Sequence, residues 1–193
     1  MRTIEWQDGI VITIDQMKLP HETVFLEMKT CDDVAEAIKS MKIRGAPLLG
    51  ATAAYALALT AYHSKAKNRD ELINELEVAA EILRRTRPTA VNLFWAIERI
   101  LNKAKAFSGS ARELAAFVVE EANRIADEDA ESNRLIGKHG AKLISDGDAI
   151  LTHCNAGALA TVEYGTALGV IRASWEQGKR IKVITTETRP KLQ

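Results

Sequence analysis

The stretch "APLLGATAAYALALTAY", residues 46–62, constrains the fold more than any other part of the chain. It carries no charged residue and no polar face, so a helix built from it has no side to turn toward water. Its length approaches that of a membrane span, yet Ala and small polar residues dominate it rather than Leu, Ile and Phe. It therefore reads as a buried helix, closely packed through its small residues, around which other helices must assemble.

The surrounding text supplies those helices. Periodicity and breakers predict them near residues 46–65, 69–86, 88–107 and 110–136, with a short one over 137–145. Pro47 and Pro88 fall at first turns, where a helix tolerates proline, and Ser108-Gly109-Ser110 breaks and recaps the chain. The acidic run "ADEDAE", residues 126–131, reads as a solvated helix face. Ahead of the bundle come three β-type runs, "TIEW", "GIVITID" and "TVFLEM", with a hairpin signal at Asp8-Gly9. Thr30 then caps a helix over "CDDVAEAIKSM", with Asp33 three residues on.

The grammar changes at Asp146. "AILTH" reads as a strand, "NAGALATVEYGTALGVIRASWEQG" as a helix and "RIKVITTE" as a second strand, which makes one βαβ unit. Two strands do not make a parallel sheet. The expectation is an α/β protein with a small β plus helical-bundle domain over residues 1–145, then the start of a second domain over 146–193. That second domain is expected to continue beyond this chain, in the same polypeptide or another.

Composition narrows the function classes. Hydrophobic residues are 47% and charged residues 27% of 193, and 26 Lys+Arg balance 26 Asp+Glu, as in an ordinary globular protein without a bulk attraction to nucleic acid or membranes. Two distant cysteines and the lack of a signal segment point to a reducing, cytoplasmic compartment.

Chemistry has three candidate places. In "KIRGAPLLG", Arg44 and Gly45 precede a helix start, so a guanidinium stands beside free backbone N–H groups that suit an anion; the plainer account is an arginine on a helix rim. In "RRTRPTAVNLFWAI", Arg87 again flanks a helix start, and two such starts suit one phosphate held by charge-assisted contacts. Phe94 and Trp95, in the same stretch, read as core.

The third place is "LTHCNAGALATVEYG". Cys154 follows a strand and precedes a helix, at the carboxyl end of a parallel strand, where the helix dipole would favour a thiolate. His153 points to the opposite face from Cys154, four histidines and two cysteines give a metal little material, and "NAGALAT" lacks the companion glycines of a dinucleotide loop. Cys31, in the first turn of its helix, reads as a packing residue.

Taken together, "IRGAPLLG", "TRPTAVNLFWA", "LTHCNAGALAT" with "YGTALGV", and the terminal "TETRPKLQ" resemble the 5-methylthioribose-1-phosphate isomerases, aldose-to-ketose isomerases of methionine salvage. Ribose-1,5-bisphosphate isomerases and regulatory subunits of the translation-initiation guanine-nucleotide exchange factor share the wider superfamily. "VNLFWA" and "CNAG" look more like the methylthioribose enzyme than its relatives, while Leu48-Leu49 stand where such sequences more often read Ala-Ile. The resemblance implies a Rossmann-like second domain, a homodimer, and a sugar-phosphate substrate handled without metal or redox cofactor. It implies that Cys154 is catalytic and that Arg44, Gly45, Ala46, Arg87 and Gln193 bind substrate. It places a catalytic aspartate and an Asn-Lys pair downstream of Gln193.

Overall fold

The computed structural model describes residues 2–187, so Gln193 lies outside the described residues. Three antiparallel strands open the chain: β1 (Ile4–Gln7), β2 (Ile10–Ile14) and β3 (Phe25–Met28), in the order β1-β2-β3. Asp8 and Gly9 form the two-residue turn of the first hairpin, and both take positive φ, 45° and 85°, as that tight turn requires. α1 (Cys31–Lys39) starts with the expected capping box between Thr30 and Asp33.

The apolar stretch becomes α2 (Ala46–His63), buried on all sides among the helices that follow. These are α3 (Arg69–Arg84), α4 (Val91–Ala106) and α5 (Ala111–Gly140), with α1 on a further flank. Its small residues let the neighbours approach: a Cβ on Gly50 would stand 3.1 Å from the Asn92 carbonyl oxygen of α4. Two polar side chains of α2 are paired, Thr52 donating to the Leu48 carbonyl and Tyr55 Oη donating to Asn123. Between α4 and α5, Glu121 is 1% exposed and accepts from Arg99 and Lys103. Burial opposes its ionisation, but those two cations outweigh burial and hold the carboxyl below the ordinary range.

α5 runs four residues past its expected end and passes into a 3₁₀ turn (Ala141–Leu143), so the separate short helix is a continuation of α5. The strand pair is β4 (Ala149–Thr152) and β5 (Lys182–Thr185), parallel and in register from Ala149↔Lys182 to Thr152↔Thr185. Between them lies α6 (Ala167–Glu176), packed on α5.

Two expectations need correction. Residues 155–166 do not form the first half of a helix: they are a loop with one 3₁₀ turn (Ala158–Ala160), ended by Tyr164 and Gly165 at φ 73° and 93°. The cause is tertiary. Thr3 donates to the Val162 carbonyl from its amide and to the Ala158 carbonyl from its hydroxyl, Asp129 accepts from the Val162 amide, and Val162 is fully buried in the bundle core. Second, α4 begins at Val91 rather than at residue 88, because residues 87–90 close a separate turn, in which the Ala90 amide donates to the Arg87 carbonyl at 3.0 Å, and Ala90 becomes the cap.

β4 and β5 carry Leu151, Val183 and Ile184 exposed, on a parallel pair of the kind that proteins normally cover on both faces.

Candidate active site

Cys154 stands at the carboxyl end of β4, exposed, with φ 66°. A non-glycine residue in that left-handed region costs roughly 1–2 kcal/mol, a strain found most often where a site needs it. Its amide donates to Thr186 Oγ1 at 3.4 Å, and His153 Nδ1 lies 3.0 Å from the same hydroxyl. His153 is thus engaged by the end of the neighbouring strand. The helix-dipole argument for Cys154 lapses, because the next α-helix starts at Ala167.

Arg44 and Gly45 lie in the turn leading into α2. Gly45 takes φ 105° and ψ 132°, and a Cβ there would stand 2.5 Å from the Ala160 carbonyl oxygen and 2.7 Å from its carbon. The close approach that Gly45 permits is therefore made by the backbone of the loop that follows Cys154. Ala46 opens α2 exposed.

The residue that joins these loops is Gln16, which the sequence did not single out. It is fully buried just beyond β2; its amide donates to the Lys42 carbonyl at 2.9 Å, and Nε2 donates to Leu159 at 2.7 Å and to Arg44 at 3.4 Å. No local pattern marks a glutamine at a strand end as buried.

Arg87 is half-buried, and Nη1 donates to Met41 Sδ at 3.0 Å, a weak acceptor three residues before Arg44. The structure thus carries Arg87 to the turn that leads to Arg44. Both flanked helices, α2 and α4, start without a side-chain cap, as does α6, whereas Thr30, Asn68 and Ser110 cap α1, α3 and α5. Pro47 has no N–H and the Leu93 amide donates to the Ala90 carbonyl, so the N–H groups left to an anion at these starts are those of Ala46 and Leu48 in α2 and of Val91 and Asn92 in α4.

Beside these helix starts is a cavity of about 400 Å³, lined by Pro47 and Gly50 of α2, Asn92 and Trp95 of α4, and Glu128 and Asp129 of α5 among others. Arg44, Arg87 and Cys154 do not line it, and two carboxylates on its wall make it a poor phosphate site. Trp95, expected in the core, is 50% exposed here with the Arg99 guanidinium 5.5 Å from its ring. Asp129, expected on a solvated face, is a half-buried loop anchor, and burial pushes its carboxyl above the ordinary range despite the Val162 and Asn133 hydrogen bonds.

Cys31 is the contrasting thiol. It is half-buried between α1 and α3, its Sγ 3.8 Å from the Ala79 carbonyl, and burial, helped by the charge of Asp32, pushes it up to about 11.

A helical bundle carrying a small antiparallel sheet, joined to a parallel βαβ unit with an exposed cysteine at its strand end, defines an α/β protein of a particular kind. Residues 42–193 match the initiation factor 2 subunit family, and the chain belongs to that family. Among its relatives, the methylthioribose-1-phosphate isomerase of Trichlorobacter lovleyi is 52% identical over 193 residues, covering all of this chain and 56% of that one. Methylthioribose-1-phosphate isomerase 2 of Pseudothermotoga lettingae is 49% identical over 192 residues, covering 100% and 55%. Two crystal structures superpose with a TM-score of 0.89. One, the delta subunit of translation initiation factor eIF-2B from A. fulgidus, is 49% identical and covers 100% of this chain and 56% of that one. The other, 5-methylthioribose 1-phosphate isomerase from Pyrococcus horikoshii OT3, is 39% identical and covers 95% and 60%. The chain spans about half the length of the curated relatives it matches.

Proposed function

We propose that a protein containing this chain isomerises 5-methylthioribose 1-phosphate to 5-methylthioribulose 1-phosphate, a step of methionine salvage. The observation that carries the reading is the strained, exposed Cys154 at the carboxyl end of β4, in a loop tied to the Arg44 turn. Relatives about half identical to this chain bear the isomerase name, which supports it.

The chemistry fits those parts. Phosphorylation of the anomeric oxygen prevents simple ring opening, so an acid must assist it, and a hydrogen must then pass from C2 to C1. Arg44 and Arg87, with the uncapped N–H groups of α2 and α4, hold the phosphate. Gly45 and Ala46 form the turn beside it, and Gln193 contacts substrate from the last motif. Cys154 acts at C2, on its proton or on charge developing there, and the aspartate that the resemblance places downstream serves as acid. The protein is a cytoplasmic homodimer in this reading and needs no metal or redox cofactor.

A regulatory role is the second reading, favoured by the 49% identical structure that bears an initiation-factor name. The test is direct. A protein of the relatives' full length, incubated with methylthioribose 1-phosphate and followed by carbon NMR, forms the ketose; no ketose would leave the ribose-1,5-bisphosphate isomerase and regulatory readings, which the same assay with ribose 1,5-bisphosphate separates. In that protein Arg87→Ala is expected to raise the substrate dissociation constant more than tenfold, the scale of a lost charge-assisted hydrogen bond of about 1.5–3 kcal/mol. Calorimetry showing unchanged affinity would remove Arg87 from the phosphate site.

Residues 1–145 and 146–193 are proposed as two domains, the second leaning on the first through the Thr3, Gln16 and Asp129 contacts and through α6 on α5. Residues 146–193 expressed alone are expected to show no cooperative thermal transition, since among the described residues their two strands pair only with each other and β5 is exposed along its length. A cooperative calorimetric peak for that fragment would mean that it needs no such support.

A further inference from the structure

We propose that Gln16 is a positioning residue that sets the register between the phosphate-binding turn and the loop carrying Cys154. The proposal rests on the isomerase reading for its kinetic part and on geometry alone for the rest. Gln16 is fully buried, and its side chain reaches two loops that come from distant parts of the chain. Its main-chain amide holds the turn at Lys42, and the two hydrogens of one side-chain amide go to the carbonyls of Arg44 and Leu159.

A carboxamide is well suited to that task. Both acceptors are carbonyls, so the bridge requires two donors on one atom, which a hydroxyl lacks. The alternatives for holding the loops are weaker in kind. Thr3 and Asp129 hold residues 158 and 162 to the start of β1 and to α5, and their hydrogen bonds go to that loop rather than to the Arg44 turn. Gly45 lets the two backbones meet without bonding them. Gln16 therefore fixes how far the arginine turn stands from the Cys154 loop along their shared seam. A reaction that needs the sugar held at its phosphate while C2 meets Cys154 depends on that distance, and misplacement by about 1 Å can cost on the order of a hundredfold in rate.

Gln16→Met keeps the length and removes both donors. In a protein of the relatives' full length it is expected to lower kcat at least tenfold with KM changed less than threefold, because the arginines still bind phosphate while the thiol is misregistered. A second readout needs no activity. Alkylation of Cys154 by iodoacetamide, followed by peptide mass spectrometry, is expected to change at least fivefold in rate, while Cys31 stays unmodified in every variant. Gln16→Asn keeps an amide on an arm one methylene shorter and spans only one of the two carbonyls; it secures the comparison where Gln16→Met does not fold, with the same direction expected. If either folded variant melts at lower temperature yet keeps wild-type kcat, KM and Cys154 reactivity, Gln16 is packing and the proposal is overturned. If the wild type makes no ketose, the isomerase reading fails, and the alkylation rates still decide whether Gln16 registers the two loops.

Discussion

Replacing Cys154 by serine in a protein of the relatives' full length is expected to lower turnover by about a hundredfold or more, the scale of a lost acid-base group. Substrate affinity should be largely retained, because the arginine turn and the uncapped starts of α2 and α4 are untouched. The residue's backbone sharpens the test. Cys154 holds φ 66°, a conformation glycine adopts without strain, so Cys154→Gly is expected to abolish turnover while leaving stability equal or higher. A residue kept for packing would show the reverse, since an exposed thiol contributes little to a core. Cys31 gives the internal control. Its thiol, pushed up to about 11 by burial and the charge of Asp32, stays protonated at neutral pH, so Cys31→Ser should alter turnover little and alkylating agents should leave it alone. Bound substrate should slow alkylation at Cys154. Near-normal turnover in Cys154→Ser would mean that Cys154 does not carry the chemistry.

The parts of this molecule that the sequence discloses are those fixed by local chemistry. The Asp8-Gly9 hairpin, the Thr30–Asp33 capping box and the buried α2 each follow from residues within a few positions of one another. Residues 155–166 fail as a predicted helix because their small, helix-compatible side chains carry no sign of the distant groups that bind their backbone: Thr3, Gln16 and Asp129. The same long-range bonds hide the site's framework. Arg44, Gly45, Arg87 and Cys154 stand out by residue type and neighbours, whereas Gln16 acquires its role only when the end of β2 meets two remote loops. Arg87 precedes α4 by a four-residue turn rather than standing at its first residue, and what brings it toward Arg44 is Met41, itself at φ 63°, which no periodicity marks.

Gly45→Ala is expected to have the largest effect on stability of any single methyl group added to the described residues around the site. Two costs combine. At φ 105° and ψ 132° an alanine is held where only glycine is at ease, a strain of about 1–3 kcal/mol. The new Cβ also meets backbone, 2.5 Å from the Ala160 oxygen and 2.7 Å from its carbonyl carbon, against an unstrained separation nearer 3.5–4.0 Å. No side chain can rotate aside, so one of the two turns must shift by about 1 Å, and the Gln16 bridge that spans them must stretch or break. Gly147 separates the two costs: it has φ 88° and open space where a Cβ would go, so Gly147→Ala bears the strain alone. Urea unfolding at constant m should therefore place Gly45→Ala at least about 2 kcal/mol below Gly147→Ala, the range of overpacking against a fixed wall. Turnover should fall with it, even at temperatures where the variant remains folded, because the Arg44 turn and the Cys154 loop no longer share one seam. Equal midpoints for the two alanine variants would mean that the turns do not meet at Gly45, and the coupling between the arginine turn and Cys154 would have to run by another route.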